Sequence, residues 1–270
     1  MSDKVKLIAF GSDPEGIIHD SDNNPVSAVG LVPGTKYSPH PIDEKGNYIQ
    51  TDNVMVEYCL PPTKNPKELH DNMLFCMKWT RDNLPQGHQV KLIASEIYPD
   101  NQLQTDQAKE FGCEPDYNAW NNSEENTKPS AENKNLRTCG GHLHVSYDNP
   151  TKEMNEKFVQ MLDLYLAIPF LLLDPDDRRR ELYGKAGAYR PKVYGFEYRV
   201  LSNYWLSSEE LIKYVFDQVE FVNSQANWGI FNPYYTREIQ LAINNNNKEK
   251  AAKLISWFKI PTLKLIEIEK

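Results

Sequence analysis

Apolar and polar residues alternate along several short segments, which is the pattern of strands with one buried face. In residues 53–60, every second position from Val54 onward is apolar, and Glu57 interrupts the opposite face. Further strands are predicted at residues 5–10, 90–97, 137–147 and 193–201. The first of them runs into residues 11–16, whose glycines and proline predict a tight turn.

Helical spacing of apolar residues accounts for much of the remaining chain. Asn65 followed by Pro66 predicts a helix that continues to about residue 84, because asparagine can cap the first turn and proline is tolerated there. A second long helix is predicted over residues 149–168. Shorter helices are predicted at residues 176–183, 207–223, 236–243 and 248–259. Residues 113–136 are polar and aperiodic, which predicts a long loop that could close over a site as a lid.

This order of elements predicts an α+β fold. The strands carry polar residues on one face, so we expect one curved, largely antiparallel sheet with helices on its apolar face and a cleft on its polar face. The chain has 270 residues and shows neither an internal repeat nor a shift in composition. A single domain over residues 1–270 is therefore predicted, with a helical C-terminal part from about residue 207.

The charge balance limits the classes of partner. The net charge of −8 argues against direct binding of a nucleic-acid polymer. Positive charge is local, in Arg178–Arg180, which is expected to be a solvated helix face, and in residues 185–192, which suit a small anionic ligand. No long apolar run or signal-like N-terminus is present, which predicts a cytoplasmic protein without a membrane segment. Four widely spaced cysteines without a CxxC pair argue against a structural zinc site.

Residues 140–146, with the sequence GGHLHVS, carry the strongest chemical signal. Side chains alternate along a strand, so His142 and His144 point to the same face, whereas Leu143 and Val145 point to the core. The two glycines allow a backbone or a ligand to approach closely. These residues form a candidate metal or phosphate site, although two histidines on an ordinary exposed strand face remain an alternative.

Three other segments supply carboxylates that could join these imidazoles. They contain Glu15, Glu57 and Glu197, and such a mixture of ligands can hold Mg²⁺ or Mn²⁺. Arg199 is expected on the same strand face as Glu197, where its guanidinium could contact phosphoryl oxygens. The alternatives are a turn residue for Glu15, an edge strand for Glu57, and a surface ion pair for Glu197 with Arg199.

Residues 183–192 contain two glycines and three cations, namely Lys185, Arg190 and Lys192. Such a loop could wrap a triphosphate, although its spacing is not that of the GxxxxGK[ST] phosphate loop. A flexible, solvated linker is the alternative interpretation.

Residues 11–15, 56–58, 140–144 and 182–199 together resemble the phage-type carboxylate–amine (COOH–NH2) ligases, which are amidoligases related to glutamine synthetase and glutamate–cysteine ligase. The resemblance extends over about residues 5–206, and residues 111–120 also look like a family segment. It implies a funnel-shaped, glutamine synthetase-like antiparallel sheet that binds metals and ATP phosphates at its polar face. By motif, the implied metal ligands are Glu15, Glu57, His142, His144 and Glu197, and the implied phosphate contacts are Arg190 and Arg199.

The resemblance implies an ATP- and Mg²⁺-dependent (or Mn²⁺-dependent) ligase that joins a carboxylate to an amine through an acyl phosphate. The expected substrates are small molecules or terminal groups, and a modified nucleobase remains possible. If the chain is phage-encoded, the host cytoplasm is the expected compartment. Two other classes stay open: a metal-dependent hydrolase using the same histidines and glutamates, and a binding protein with a ligase-like fold.

Overall fold

A 13-residue strand, β1 (Leu7–His19), runs through the middle of the main sheet. The computed structural model describes residues 4–109, 116–127, 130–225 and 232–263. The other described strands are β2 (Pro25–Val26), β3 (His40–Pro41), β4 (Tyr48–Asp52), β5 (Met55–Thr63), β6 (Gln89–Lys91), β7 (Ser95–Ile97), β8 (Tyr117–Asn118), β9 (Glu124–Glu125), β10 (Leu136–Thr138), β11 (Gly141–Tyr147), β12 (Ala188–Lys192) and β13 (Gly195–Tyr198). The described α-helices are α1 (Pro66–Asn83), α2 (Asp106–Lys109), α3 (Lys152–Leu162), α4 (Ile168–Leu173), α5 (Arg179–Leu182), α6 (Glu209–Ser224), α7 (Pro233–Asn244) and α8 (Lys248–Phe258).

The main sheet follows the order β3–β4–β5–β1–β11–β13–β12–β8–β9. Strands β2 and β6 pair with the far end of β1, and β7 and β10 form a separate two-stranded sheet. Every pairing between these strands is antiparallel. The predicted α+β architecture with a largely antiparallel sheet is therefore confirmed.

Helices cover one face of the sheet, and the histidine side chains lie on the other face. Phe10 of β1 packs on Phe216 of α6 with ring centroids 4.6 Å apart, and Phe196 of β13 packs on Phe158 of α3 at 5.4 Å. Leu143 of β11 is fully buried in the same core, as is Val145. The alternation along β11 therefore turns its histidines to the opposite face, as predicted.

The tight turn predicted at residues 11–16 is wrong, because β1 continues through this segment. Asp13 pairs with His142 of β11, and Glu15 pairs with Glu57 of β5. Gly16 serves close packing, since a Cβ atom there would lie 2.6 Å from the side chain of Val90 in β6. The glycines and proline of this segment thus occur within an extended strand.

Two of the predicted strands are each divided in the structure, and a third is shorter than predicted. Residues 90–97 contribute to β6 and β7, and residues 137–147 contribute to β10 and β11, with the two parts in different sheets each time. The segment at 193–201 is the second arm of the β12–β13 hairpin, and Arg199 follows β13 directly. Local alternation continues across these breaks, so it does not reveal a change of strand partner.

The predicted loop at residues 113–136 contains two short strands among its described residues. Strands β8 and β9 form a hairpin that pairs with β12 and extends the sheet. Residues 113–115 and 128–129 of the predicted lid lie outside the described residues.

The helices agree better with the predictions. Asn65 caps α1 by accepting from the amide of Lys67, as expected. The second long helix begins at Lys152 with Thr151 as its cap, and it continues through a π-helix at Asp163–Ala167 into α4. Within the described ranges, no helix has the length and apolar character needed to cross a membrane.

Candidate functional site

Three neighbouring strands bring a carboxylate–imidazole cluster together on the face of the sheet opposite the core helices. Nδ1 of His142 lies 3.0 Å from Oδ1 of Asp13 and 3.3 Å from Oε1 of Glu197. One potential ligand atom from each of these residues lies within 4.8 Å of the others. Strand register explains the meeting, because Asp13 pairs with His142 across β1 and β11, and the neighbouring His144 pairs with Glu197 across β11 and β13.

His144 lies beside this cluster and connects it to the hairpin. Its Nε2 is 3.3 Å from Oδ1 of Asp13, and its Nδ1 is 2.6 Å from the hydroxyl of Tyr194. The ring of His142 fits only because position 140 is glycine, since a Cβ atom on Gly140 would collide with it. Both histidines therefore face Asp13, as their shared strand face predicts.

Asp13 is a residue of the candidate site that sequence reasoning missed. Burial alone would raise its pKa, but charge interactions with His142 and His144 hold that pKa well below its usual range. The signal was present in the sequence, because Asp13 and Glu15 share one face once the strand is extended past Phe10. Interpreting residues 11–16 as a turn concealed it.

A second acidic group lies next to the first, across β1, β4 and β5. Oε2 of Glu15 accepts from the amide of Gly140 at 2.6 Å, and Glu57 accepts from the side chain of Gln50. Burial, followed by the negative charge of Asp52, raises the pKa of Glu15 to about 8. Burial and the charges of the neighbouring acids also raise the pKa of Glu57 and of Asp52. Asp52 was not predicted as part of the site.

These residues fit a divalent cation. Oδ1 of Asp13 and Nε2 of His144 are buried without a well-oriented hydrogen bond, although they lie close together. Carboxylate oxygens with imidazole nitrogens are donors that Mn²⁺ and Mg²⁺ accept. Asp13, His142 and Glu197, with His144 adjacent, would hold such an ion. Glu15 and Glu57, whose pKa values are raised first of all by burial, lie next to this cluster.

Three cations surround Glu197, two of them at the carboxylate oxygen that does not face His142. Arg199 contacts Oε1 of Glu197, while Nζ of Lys192 and Nη1 of Arg190 lie 2.9 Å and 3.4 Å from Oε2. Glu197 is fully buried, which would raise its pKa, as would the charge of Asp13. Interactions with His142, Arg199 and His144 outweigh both and lower the pKa of Glu197 to about 2. The carboxylate of Glu197 is therefore ionised. It adjoins both an imidazole that could bind a metal ion and cationic side chains that could bind phosphate.

Lys185 is the predicted site residue that the structure places elsewhere. Its Nζ lies 3.4 Å from the backbone oxygen of Asn244, at the end of α7. The neighbouring loop amides also donate within the protein, Ala186 to Oδ1 of Asn244 at 2.7 Å and Gly187 to Oδ2 of Asp163 at 2.6 Å. The glycine-containing loop is thus held against the helical part, whereas Arg190 and Lys192 reach Glu197.

The expectation of a solvated face for Arg178–Arg180 is wrong for Arg179, which is 4% exposed. Its guanidinium donates to the backbone oxygens of Cys139, Val200 and Arg199 at 2.8, 3.0 and 3.3 Å. Burial lowers its pKa to about 10. Arg179 thereby joins the chain just before the histidine strand to the chain just after Glu197.

Among the comparisons with known proteins, a match to a protein family agrees with the resemblance in the motifs. Among solved structures, the bifunctional glutathione synthetase from Pasteurella multocida is similar with a TM-score of 0.43 and 12% identity over 95% of this chain and 49% of that one, so this chain spans about half of its length. No curated protein matches the chain. Residues 129–262, which include both histidines, Glu197 and Arg199, match the family described as Phage phiEco32-like COOH.NH2 ligase-type 2. Over these residues, the chain is therefore similar to a family of carboxylate–amine ligases.

Proposed function

We propose that this protein is an ATP-dependent ligase that joins a carboxylate to an amine and requires Mg²⁺ or Mn²⁺. The observation that carries the proposal is the position of Glu197. One of its oxygens faces His142, and the other faces Lys192 and Arg190. One buried carboxylate thus adjoins both a side chain that can bind a metal ion and side chains that can bind phosphate. ATP bound with a divalent cation needs this combination of groups.

In the proposed reaction, the γ-phosphoryl group of ATP moves to the carboxylate and ADP leaves. The amine then attacks the acyl phosphate, an amide bond forms, and phosphate and a proton are released. A bound divalent cation would neutralise charge on the phosphates. Arg199, Arg190 and Lys192 would orient the phosphate chain and stabilise charge that develops on the transferring oxygens. No nucleophilic side chain is needed, because positioning and charge neutralisation suffice.

The acid and the amine are proposed to be small molecules or terminal groups. The similarity of residues 129–262 to carboxylate–amine ligases supports this class of substrate. Placement in the glutamine synthetase-like superfamily, with a funnel-shaped sheet, is likewise a proposal that rests on the sequence motifs. The sheet face that carries the histidines and carboxylates is consistent with it.

The test is an ADP-release screen against panels of acids and amines with Mg²⁺, followed by mass spectrometry of the products. For a productive pair, a carboxylate labelled with ¹⁸O should transfer one labelled oxygen to inorganic phosphate, since an acyl phosphate leaves with that oxygen. Glu197→Gln should be inactive although folded. Release of AMP in place of ADP would contradict the acyl phosphate, and cleavage of amides without ATP would instead support a metal-dependent hydrolase.

A further inference from the structure

Asp116 lies beside Arg199 at the edge of the candidate site. Its Oδ2 is 3.5 Å from Nε of Arg199, whose side chain is 6% exposed. The other carboxylate oxygen, Oδ1, accepts from the side-chain amide of Asn126 at 3.0 Å, and the backbone oxygen accepts from the amide of Asn126 at 2.9 Å. Asp116 is therefore fixed from one side while it faces the guanidinium on the other.

The segment that carries Asp116 is attached firmly to the sheet. Strand β8 pairs with β12, and the amide of Ala119 donates to the oxygen of Gly187 at 3.0 Å. Nε1 of Trp120 donates to Oδ2 of the buried Asp163 at 2.6 Å. Oδ1 of Asp163 accepts from the hydroxyl of Tyr198, which directly precedes Arg199. One buried carboxylate thus links the Asp116 segment to the strand that leads to Arg199.

We propose that Asp116 is a positioning residue that holds the guanidinium of Arg199 in the orientation used for phosphoryl transfer. A guanidinium presents its donors in one plane, so the charge of a carboxylate 3.5 Å from Nε favours one direction for both Nη groups. The Nη1 atom of Arg199 contacts Glu197 and lies 3.3 Å from Nδ1 of His142. Asp116 therefore acts on the reacting phosphate only through Arg199, and this role rests on the proposed ligase function.

This arrangement predicts a loss in turnover more than in ATP binding. Asp116→Asn keeps the shape of the side chain, and the new amide oxygen can still accept from Asn126. With the oxygen in that place, the amide nitrogen would take the position of Oδ2 beside Nε of Arg199. Arg199 would lose the negative charge that orients it and would keep its own positive charge. Misplacement of a group that stabilises the transition state lowers kcat, whereas overall attraction for ATP persists.

The kinetic test compares Asp116→Asn with Glu125→Gln, which removes an exposed carboxylate from the same hairpin. We expect Asp116→Asn to lower kcat about 10-fold and to change the KM for ATP less than about 3-fold, whereas Glu125→Gln changes neither. In an Arg199→Lys background, which lacks Nε, Asp116→Asn should lower kcat by less than about 2-fold. Full additivity of the two substitutions, or unchanged kcat for Asp116→Asn, would overturn the proposal.

A second measurement is independent of activity. In ¹⁵N-labelled protein, the Nε–H resonance of Arg199 is identified by its loss in Arg199→Lys, and it should shift in Asp116→Asn but not in Glu125→Gln. If Asp116→Asn does not fold, Asn126→Ala should shift the same resonance. An unchanged resonance would overturn the pairing. Absence of ATP-dependent turnover in the wild-type protein would instead refute the proposed function. The Nε–H resonance would still show whether Asp116 pairs with Arg199.

Discussion

Asp13 and His142 face each other across two neighbouring strands, with Oδ1 of the carboxylate 3.0 Å from Nδ1 of the imidazole. The same oxygen lies 3.3 Å from Nε2 of His144. One carboxylate oxygen thus faces both histidines of the candidate site. The most direct test of that site is accordingly a change at Asp13.

Asp13→Asn should weaken the binding of Mn²⁺ by about tenfold or more, because it removes the charge of a ligand and keeps its shape. Titration calorimetry with Mn²⁺ measures the effect. Asp22→Asn, which alters an exposed acid after the end of the same strand, serves as the control and should bind normally. Equal affinities for the two variants would remove Asp13 from the metal site.

The stability of the cation-free protein should fall as pH rises toward 8. The pKa of Glu15 is about 8 in the folded protein, compared with its usual value of 4.5. Between these values the folded state binds more protons than the unfolded state, so each increase in pH favours unfolding. Melting temperatures in EDTA should therefore decrease between pH 6 and 8, and Glu15→Gln should reduce this slope. Saturating Mn²⁺ should also reduce it, whereas a rise in melting temperature over this range would contradict the assignment.

Arg199→Lys should lower turnover by about 100-fold, the order seen when a donor to transition-state charge is lost. Lysine retains the positive charge but cannot reproduce the planar arrangement of donors. Binding of Mn²⁺ should change little, because Asp13, His142 and Glu197 remain. An enzyme with normal ATP-dependent product formation would show that Arg199 does not contact the transferring group.

Lys192→Ala should raise the KM for ATP about tenfold, since a charged contact to phosphate contributes roughly 1.5–3 kcal/mol. Lys185→Ala should have a smaller effect, because its ammonium lies against the oxygen of Asn244 rather than beside Glu197. Initial rates at varied ATP compare the two variants directly. If Lys185→Ala shows the larger KM change, the glycine-containing loop holds the phosphates after all.

Arg179→Met should destabilise the fold by about 3 kcal/mol or more, since three buried backbone oxygens would lose a charged donor. Urea unfolding followed by circular dichroism measures this loss. Arg81→Met changes an exposed arginine on α1 and should alter stability much less. Similar unfolding midpoints for the two variants would mean that Arg179 does not connect the strands in the way described.

The sequence by itself determined which residues share a face. His142 and His144 point to one side of β11 while Leu143 and Val145 are buried, because alternation is a local property of extended backbone. The cap at Asn65 was predictable for the same reason, since a capping side chain bonds to the first turn of its own helix.

Only the tertiary structure decided which segments meet. Asp13 became part of the site because β1 continues through residues that otherwise favour a turn, and pairing with β5 and β11 stabilises the extended form. Arg179 is buried and donates to carbonyl oxygens from two distant segments. The ammonium of Lys185 lies against the backbone oxygen of Asn244 at the end of α7. A local pattern specifies the face of a strand or helix, whereas partners depend on hydrogen bonds and burial between residues far apart in the chain.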